Sequence, residues 1–270
     1  DKAAEGLGAG LRDDGSVLVS LGTYIGGMMR GKAYTDTASE YWSNLSAIPY
    51  EYLYETSVGI RRGMWSVSWF KELLGEAAEE KAKSMGTSVE ELLEREARLI
   101  SPGSEGLITV GEFLAPNNMP YRKAMFIGFD GRHKRAHMYR SILEAIAMTM
   151  KMSVDAMCEE QGIKPRQVIV SGGGSNSPLF MQIFADVFGI RSVRNVINNA
   201  AGLGAAINVA VGTGAYPDYE TAIGKMVRIR DSFEPDLEHR EIYEKIINNI
   251  YRDIKDYSDP VNKKIYELFG

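Results

Sequence analysis

The hydrophobic pattern of the first sixty residues predicts antiparallel β-structure. Residues 2–9 are small and predict a short helix, and a turn at 13–15 leads into SVLVSLG, a segment rich in the branched residues that strands favour. We expect a hairpin turn over Thr23–Gly27, a returning strand over Met28–Tyr34 and a further strand over Tyr50–Ser57. The chain is therefore predicted to open with antiparallel strands after its first helix, three in all.

Helical spacing dominates the next part of the chain. From Trp65 to Ser101 the apolar residues recur every three or four positions among Glu and Lys. Pro102-Gly103 breaks that pattern, and residues 106–131 predict a strand, a polar loop and a second short strand. A long helix is predicted over Arg135–Gln161. We expect its core-facing stripe to consist of Ile142, Ile146, Met150 and Val154.

Strands and helices alternate in the rest of the chain. Val168–Val170 is a fully apolar strand, a helix starts at Ser177-Pro178 and ends at Gly189, and a strand around Val193 precedes the small-residue helical segment 199–214. We expect the last helices to bury one face, formed by Ile242, Ile246, Ile250 and Ile254.

This order of elements predicts an α/β fold of the ribonuclease-H-like type. Its sheet would be mixed, with antiparallel hairpin strands and parallel strands, and helices would flank it. A dinucleotide-binding fold would begin with a β-α-β unit instead, and this chain begins with a hairpin.

Composition and charge narrow the class of partner. The 270 residues are 44% hydrophobic and 25% charged, which is typical of a packed globular protein of one large or two modest domains. The net charge of −5 is spread over the chain, so no basic face predicts nucleic-acid binding. No apolar run approaches the roughly 20 residues that span a bilayer. We expect a small-molecule partner.

The cysteine and histidine content bears on the cellular compartment and on metal binding. Cys158 is the single cysteine and has no internal disulfide partner, which fits a reducing cytoplasm. His133, His137 and His239 do not form a metal-binding spacing with it, so we expect no structural zinc site. The first residues lack both a Met and the profile of a signal peptide, and we expect the chain to begin in mid-protein.

A glycine-rich turn is the most specific chemical feature. Gly172, Gly173 and Gly174 follow an apolar strand and precede a helix, where bare backbone amides can approach a nucleotide closely. The alternative is a tight strand-to-helix connection in which Ser177 only caps the helix. The pattern is not G-x-G-x-x-G and no acidic residue follows at the ribose-binding distance, which disfavours a nicotinamide cofactor and a dehydrogenase.

Several segments together resemble the C-terminal half of the FGGY family of carbohydrate kinases. The spaced residues of AMFIGFD (124–130) and HMYRSILE (137–144) resemble the long signature of the family. SGGGSNSPLFMQIFADVFG (171–189) is similar to its adenosine-binding segment, and VLVSLGTY (17–24) to its second phosphate hairpin. The family has the fold of the actin-like ATPase superfamily, in which two ribonuclease-H-like domains close over ATP.

The resemblance implies ATP and Mg²⁺ as cofactors and assigns residues to the nucleotide. One turn would present amides and a hydroxyl to the phosphates, whereas the other would line adenine and ribose. The implied residues are Gly22, Thr23, Gly172, Gly173, Gly174 and Ser177. Tyr24 departs from the family, which often has a small residue there, and the loop LAPNNMPYRKAMF (114–126) is shorter than in relatives that phosphorylate xylulose or glycerol.

Asp1 is the implied catalytic residue. DKAAEGLGAG resembles the family segment in which an Asp at a helix start acts as base toward the sugar hydroxyl. A carboxylate within hydrogen-bonding reach of that hydroxyl would orient it and accept its proton late in phosphoryl transfer. Without the resemblance, Asp1 would be interpreted as a simple N-cap.

The resemblance also implies what is missing. The whole chain, 1–270, would be the C-terminal ATP-binding domain of a two-domain sugar kinase, and the Asp-x-Gly-Thr phosphate motif of the other domain is found nowhere in it. We expect as partners the absent N-terminal domain and a pentulose, hexulose or polyol substrate, with a homodimer as an open alternative. A fragment of this kind is predicted not to turn over sugar. The alternative function is a non-catalytic, actin-like nucleotide-binding or regulatory module.

Overall fold

The structure is a computed structural model that describes residues 1–270. It contains nine strands: β1 (Ser16–Leu21), β2 (Ile25–Gly31), β3 (Tyr41–Leu45), β4 (Tyr52–Thr56), β5 (Ile108–Val110), β6 (Met125–Ile127), β7 (Gln167–Ser171), β8 (Arg191–Asn195) and β9 (Ile229–Phe233). Its nine α-helices are α1 (Lys2–Gly8), α2 (Gly63–Ser84), α3 (Val89–Ala97), α4 (Arg135–Glu160), α5 (Pro178–Phe188), α6 (Ala200–Gly212), α7 (Tyr219–Met226), α8 (Leu237–Ile246) and α9 (Ile254–Phe269). None of these helices combines the length and the apolar character needed to cross a membrane.

Seven strands form one mixed sheet, in the order β3-β4-β2-β1-β7-β8-β9. The central strand β1 pairs antiparallel with β2 on one side and parallel with β7 on the other. The register of the parallel pair places Ser20 opposite Ser171, at the carboxyl ends of both strands. The predicted combination of antiparallel hairpin strands with parallel strands is confirmed, and β5 and β6 form a separate two-stranded sheet.

The hairpin is tighter than the sequence predicted. Its turn spans 22–24 and β2 already begins at Ile25, whose backbone exchanges hydrogen bonds of 2.8 and 2.9 Å with Ile60. The sequence also missed β3, so the antiparallel part has four strands and not three. Trp42 and Leu45 on β3 are 65% and 71% exposed, so this edge strand lacks the clean apolar alternation that predicts strands.

The helical stretch from Trp65 to Ser101 is two helices. Gly75 interrupts α2 with a φ of 62°, and Ser88 and Glu91 form a capping box that starts α3. The long helix predicted over Arg135–Gln161 is confirmed as α4. All four residues of its predicted stripe are at most 4% exposed, and α4 packs on one face of the sheet.

Only half of the predicted buried face of the last helices is confirmed: Ile254 is buried and Ile246 packs partly buried against the core. Ile242 and Ile250 are 37% and 40% exposed, whereas Tyr243, Ile247 and Tyr251 are buried. The hydroxyl of Tyr243 donates to Glu144 (2.7 Å), and that of Tyr251 reaches the backbone of β5 and α4. Because both phenols find buried partners, the aromatic rings take core positions that the sequence had assigned to Ile242 and Ile250.

Glu144 anchors a turn that precedes β5. Its carboxylate is 2% exposed and accepts hydrogen bonds from Arg140, Tyr243, the amide of Gly103 and the hydroxyl of Ser104, at 2.7–3.0 Å. Burial, together with the charge of Glu144, holds the pKa of Tyr243 well above its usual range. Four donors converge on this buried carboxylate, three on one oxygen and one on the other, which fits a structural role.

Helix α1 crosses α6 at very short range. A Cβ on Gly8 would lie 1.9 Å from the carbonyl oxygen of Ala200, and a Cβ on Gly204 would lie 1.8 Å from that of Ala4. Only glycine allows the two backbones to approach this closely. The crossing therefore fixes the distance between the start of the chain and the helix that follows β8.

We predict that Gly204→Ala lowers the free energy of unfolding by about 1–3 kcal/mol, because its methyl group separates α1 from α6. Gly212→Ala on the same helix is the matched control, since a Cβ there meets nothing within 4 Å. It should be neutral or stabilising by up to about 1 kcal/mol. Urea unfolding of both variants measures the difference, and equal effects would contradict the close crossing.

Candidate functional site

Two turns lie side by side at one edge of the sheet. Because β1 and β7 are parallel and Ser20 lies opposite Ser171, both strands end at the same level. The turn over 22–24 follows β1, and the glycine turn over 172–176 follows β7. A Cβ on Gly172 would lie 2.5 Å from the carbonyl oxygen of Leu21, so the two turns start in contact.

The first turn is fixed to the start of α2. The amide of Gly63 donates to the carbonyl of Thr23 (2.8 Å), and the amide of Met64 donates to that of Gly22 (3.2 Å). Thr23 itself is exposed. The turn therefore has a rigid base and a hydroxyl-bearing tip.

Tyr24 is accommodated by glycines around it. Its hydroxyl lies 2.3 Å from where a Cβ on Gly59 would be, and its ring lies 3.1 Å from the corresponding position on Gly26. Burial and the nearby Glu55 raise the pKa of Tyr24. The bulky residue thus packs against backbone without disturbing the hairpin.

The three glycines of the second turn do different things. Gly172 has a φ of 85°, which only glycine adopts readily, and Gly174 is buried with Leu21 and Met64 around its missing side chain. Gly173 is exposed, and a Cβ there would meet nothing within 4 Å. Gly173 is therefore the glycine that offers open backbone to a ligand, whereas its neighbours shape the turn.

Ser177 caps α5, as the alternative interpretation of the sequence required. Its hydroxyl accepts a hydrogen bond from the amide of Phe180 (3.1 Å), and Pro178 takes the first helical position. The hydroxyl remains half-buried at the edge of the turn. Its contact with a ligand stays a prediction.

Arg194 supports the second turn through hydrogen bonds to its carbonyls, and sequence reasoning did not identify this residue. Its guanidinium donates to the carbonyls of Ser175 (2.6 Å) and Asn176 (3.0 Å) and to both carboxylate oxygens of Asp231 on β9. The side chain of Arg194 is 4% exposed, and its hydrogen bonds lower the pKa of Asp231. In the sequence, Arg194 is only a charged residue within the strand expected around Val193. Its partner Asp231 lies on β9, a strand that the sequence did not predict.

Asp1 lies at the start of α1, the helix whose Glu5 is hydrogen-bonded to the ends of β1 and β7. It occupies the N-cap position, but its side chain makes no capping hydrogen bond. Asp1 is exposed and lines an open cleft of about 540 Å³ together with Lys2, Asn44 and Glu55. The Asp1 carboxylate therefore does not cap α1 through a side-chain hydrogen bond.

Glu5 connects α1 to both strand ends. Its carboxylate accepts hydrogen bonds from Ser171 (2.5 Å), Ser20 (2.8 Å) and Lys2 (3.0 Å). Burial by itself raises the pKa of Glu5, but the hydrogen bonds from the two serines and the charge of Lys2 outweigh it, so the pKa lies below its usual value. This residue was also missed, although a lone Glu in a run of small residues was a usable signal.

Glu55 is the third carboxylate of this region. Burial is the main reason that its pKa is raised; the charge of Lys2 lowers the pKa and that of Glu5 raises it further. Glu55 lies on β4 and lines the same cleft as Asp1. The cleft therefore combines an exposed carboxylate with one that protonates more easily than usual.

A further cavity lies elsewhere in the molecule. It measures about 310 Å³, and its lining combines apolar residues such as Ile60, Val110 and Ile146 with charged residues such as Arg61 and Glu112. No residue of either turn lines it, so it is separate from the site assembled by the turns and α1. In the whole structure, no group of three or more His, Cys, Asp or Glu side chains is placed to hold a metal ion.

Comparison with known proteins identifies the family. Residues 17–213 match the model of the C-terminal domain of the FGGY family of carbohydrate kinases. The chain is 47% identical over 268 residues to the uncharacterized sugar kinase YgcE of Escherichia coli K12, covering 99% of this chain and 54% of that protein. It is 30% identical to the xylulose kinase of Lactococcus lactis, covering 99% of this chain and 52% of the relative. The chain thus spans about half the length of these relatives.

Solved structures show the same fold. The xylulose kinase of Rhodospirillum rubrum superposes with a TM-score of 0.82 at 23% identity, over 97% of this chain and 51% of that one. The glycerol kinase of Plasmodium falciparum, solved with ADP, superposes with a TM-score of 0.71 at 18% identity, over 100% of this chain and 50% of that one. These likenesses confirm the predicted α/β fold with a mixed sheet flanked by helices. With the family model matched over residues 17–213, this chain belongs to the FGGY family of carbohydrate kinases.

Proposed function

We propose that this chain is the ATP-binding half of a sugar kinase that transfers the γ-phosphate of ATP to a hydroxyl of a pentulose, a hexulose or a related polyol. The observation that carries the proposal is one juxtaposition. The two glycine-containing turns follow adjacent strand ends, and Glu5, one helical turn after Asp1, is hydrogen-bonded to the serines Ser20 and Ser171 just before both turns. Membership of the carbohydrate kinase family supports the reaction class.

The shape of the turns fits a nucleotide. Gly173 leaves its backbone open where a Cβ would meet no protein atom, and Thr23 presents an exposed hydroxyl on the neighbouring turn. Backbone amides in such turns bind phosphate without a side chain in the way. In this arrangement Gly22 and Thr23 hold the phosphates, and the turn at Gly172, Gly173 and Gly174, followed by Ser177, lines the nucleoside.

Asp1 performs the acceptor chemistry in this proposal. Phosphoryl transfer needs an oriented nucleophile more than a strong base. The Asp1 carboxylate accepts a hydrogen bond from the substrate hydroxyl, aligns its oxygen with the γ-phosphate and takes the proton as the new bond forms. Mg²⁺ brought with the nucleotide would neutralise charge on the phosphates.

The other half of the enzyme completes the site. The relatives are about twice as long as this chain, and we propose that their remaining half corresponds to an N-terminal domain that binds most of the sugar. Closure of two domains excludes water and suppresses ATP hydrolysis.

Asp1→Asn tests the catalytic role in the full-length protein. We predict that kcat falls at least 100-fold, because the amide cannot accept the proton, while the affinity for a non-hydrolysable ATP analogue changes less than threefold. A coupled assay across pentuloses, hexuloses and polyols measures the rate, and calorimetry measures the affinity. Retention of full kcat would remove Asp1 from the mechanism.

Gly173→Ala tests the nucleotide turn. We predict that the added methyl group weakens ATP-analogue binding about tenfold or more, since it projects into the open space beside the turn. Stability should change by less than about 0.5 kcal/mol because no protein atom is displaced. Gly172→Ala is the comparison: its φ of 85° and the nearby carbonyl of Leu21 predict a loss of about 1–3 kcal/mol in stability. Unchanged affinity in Gly173→Ala would place the nucleotide elsewhere.

The isolated chain provides a third test. We predict that residues 1–270 alone bind nucleotide only weakly and do not phosphorylate any sugar of the same panel, because one domain cannot close. The same assay on the full-length protein is the positive control. Sugar-dependent turnover by the isolated chain would show that the second half is dispensable.

A further inference from the structure

A buried cluster joins the start of the chain to the ends of two strands. Glu5 accepts from Ser20 and Ser171 through different carboxylate oxygens, and Lys2 donates to both Glu5 (3.0 Å) and Ser20 (2.8 Å). The side chain of Glu5 is 12% exposed and that of Lys2 is 25% exposed. The four side chains therefore form one closed hydrogen-bond network that includes an ion pair.

The position of the two serines gives this network its significance. They are register partners in the parallel pair, Ser20 lies two residues before Gly22, and Ser171 lies directly before Gly172. The carboxylate of Glu5 thus contacts, on each strand, the serine hydroxyl that lies nearest to the following turn. Any movement of Glu5 shifts α1 relative to both turns at once.

The same residue is one helical turn away from Asp1. The amide of Glu5 donates to the carbonyl of Asp1 (2.8 Å), which makes their relative position a property of the helix backbone. The opposite end of α1 is fixed by the contact of Gly8 with α6. Among the side chains of α1, Glu5 and Lys2 are the ones that bond the first turn of this seven-residue helix to the sheet.

We propose that Glu5 is a positioning residue of the kinase: it sets the separation between the Asp1 carboxylate and the two nucleotide turns, and Lys2 balances its charge beside the phosphates. The inference rests on the proposed function, because it assigns Asp1 and the turns to the reaction. Glu5 touches neither substrate in this arrangement and acts through Asp1. A displacement of about 1 Å between reacting groups is enough to lower a rate about 100-fold.

The first experiment compares Glu5→Ala with wild type in the full-length protein. We expect kcat to fall 10- to 100-fold while the dissociation constant of a non-hydrolysable ATP analogue stays within threefold. Asp259→Asn is the matched control for the loss of a buried ion pair, since its carboxylate is 14% exposed and pairs with Arg122 in another part of the molecule. It should lower stability comparably and leave kcat within twofold. An equal loss of kcat in both variants, or none in Glu5→Ala, overturns the proposal.

A double-mutant cycle tests the connection to the strands. If Ser171 acts on the rate through Glu5, Ser171→Ala should lower kcat in the wild-type background and have no further effect in Glu5→Ala. Multiplicative effects of the two substitutions would show that they act independently and would contradict the network.

A third experiment tests whether Lys2 balances the negative charge of Glu5. Lys2→Met leaves the Glu5 carboxylate uncompensated, so affinity for the ATP analogue should fall five- to tenfold. The double variant Lys2→Met/Glu5→Gln should restore that affinity to within twofold of wild type, although kcat stays low. Failure of the double variant to recover affinity would exclude charge balance as the role of Lys2.

Failure of this inference is distinguishable from failure of the proposed function. If wild type binds no ATP analogue or phosphorylates no sugar or polyol, the proposed function itself is wrong. If wild type does both and Glu5→Ala retains full kcat, the function stands and only the positioning role is lost.

Discussion

The parallel pairing of β1 with β7 is the interaction on which the candidate site depends. Its register places Ser20 opposite Ser171, and both strands therefore end at one level of the sheet. The two turns that follow are thereby brought into contact, with the backbone of Gly172 against the carbonyl of Leu21. A shift of one residue in this register would face the serines away from each other and separate the turns. The strands are buried and apolar, so the register is strongly specified by the core.

Around this pair, each element at the site is held by a partner from a distant part of the sequence. The start of α2 fixes the first turn, Arg194 fixes the second through two carbonyls, and Glu5 fixes α1 to both strands. Rigid support of this kind suits a reaction in which geometry supplies most of the catalysis. Arg194 and Glu5 are each paired with an oppositely charged side chain, which offsets the cost of removing their charges from water.

Sequence reasoning located the turns but not their supports, and the reason is the range of the interactions. Glycines after an apolar strand, a Ser-Pro helix start and the i+4 stripe of α4 are local signals, and the structure has each of these elements where they predict it. Glu5 and Ser171 are 166 positions apart, so nothing local marks their contact. The edge strands β3 and β9 carry exposed and charged residues that obscure alternation. Ile242 and Ile250 of the predicted isoleucine face are exposed because two tyrosines with buried hydrogen-bond partners occupy the core instead, which periodicity does not detect.

The charge at the site also bears on the proposal that half of the enzyme is inactive by itself. Asp1 and Glu55 line the cleft together with Lys2, and Lys2 is ion-paired with Glu5. A triphosphate adds further negative charge, and repulsion between like charges at short range is costly where water is excluded. In the proposed function, backbone amides offset part of that repulsion, and the metal ion carried by the nucleotide offsets more. In the same proposal, the remaining balance would come from groups of the second half that approach when it closes over the site. Domain closure would then complete both the geometry and the electrostatics of phosphoryl transfer, and neither half would achieve this by itself.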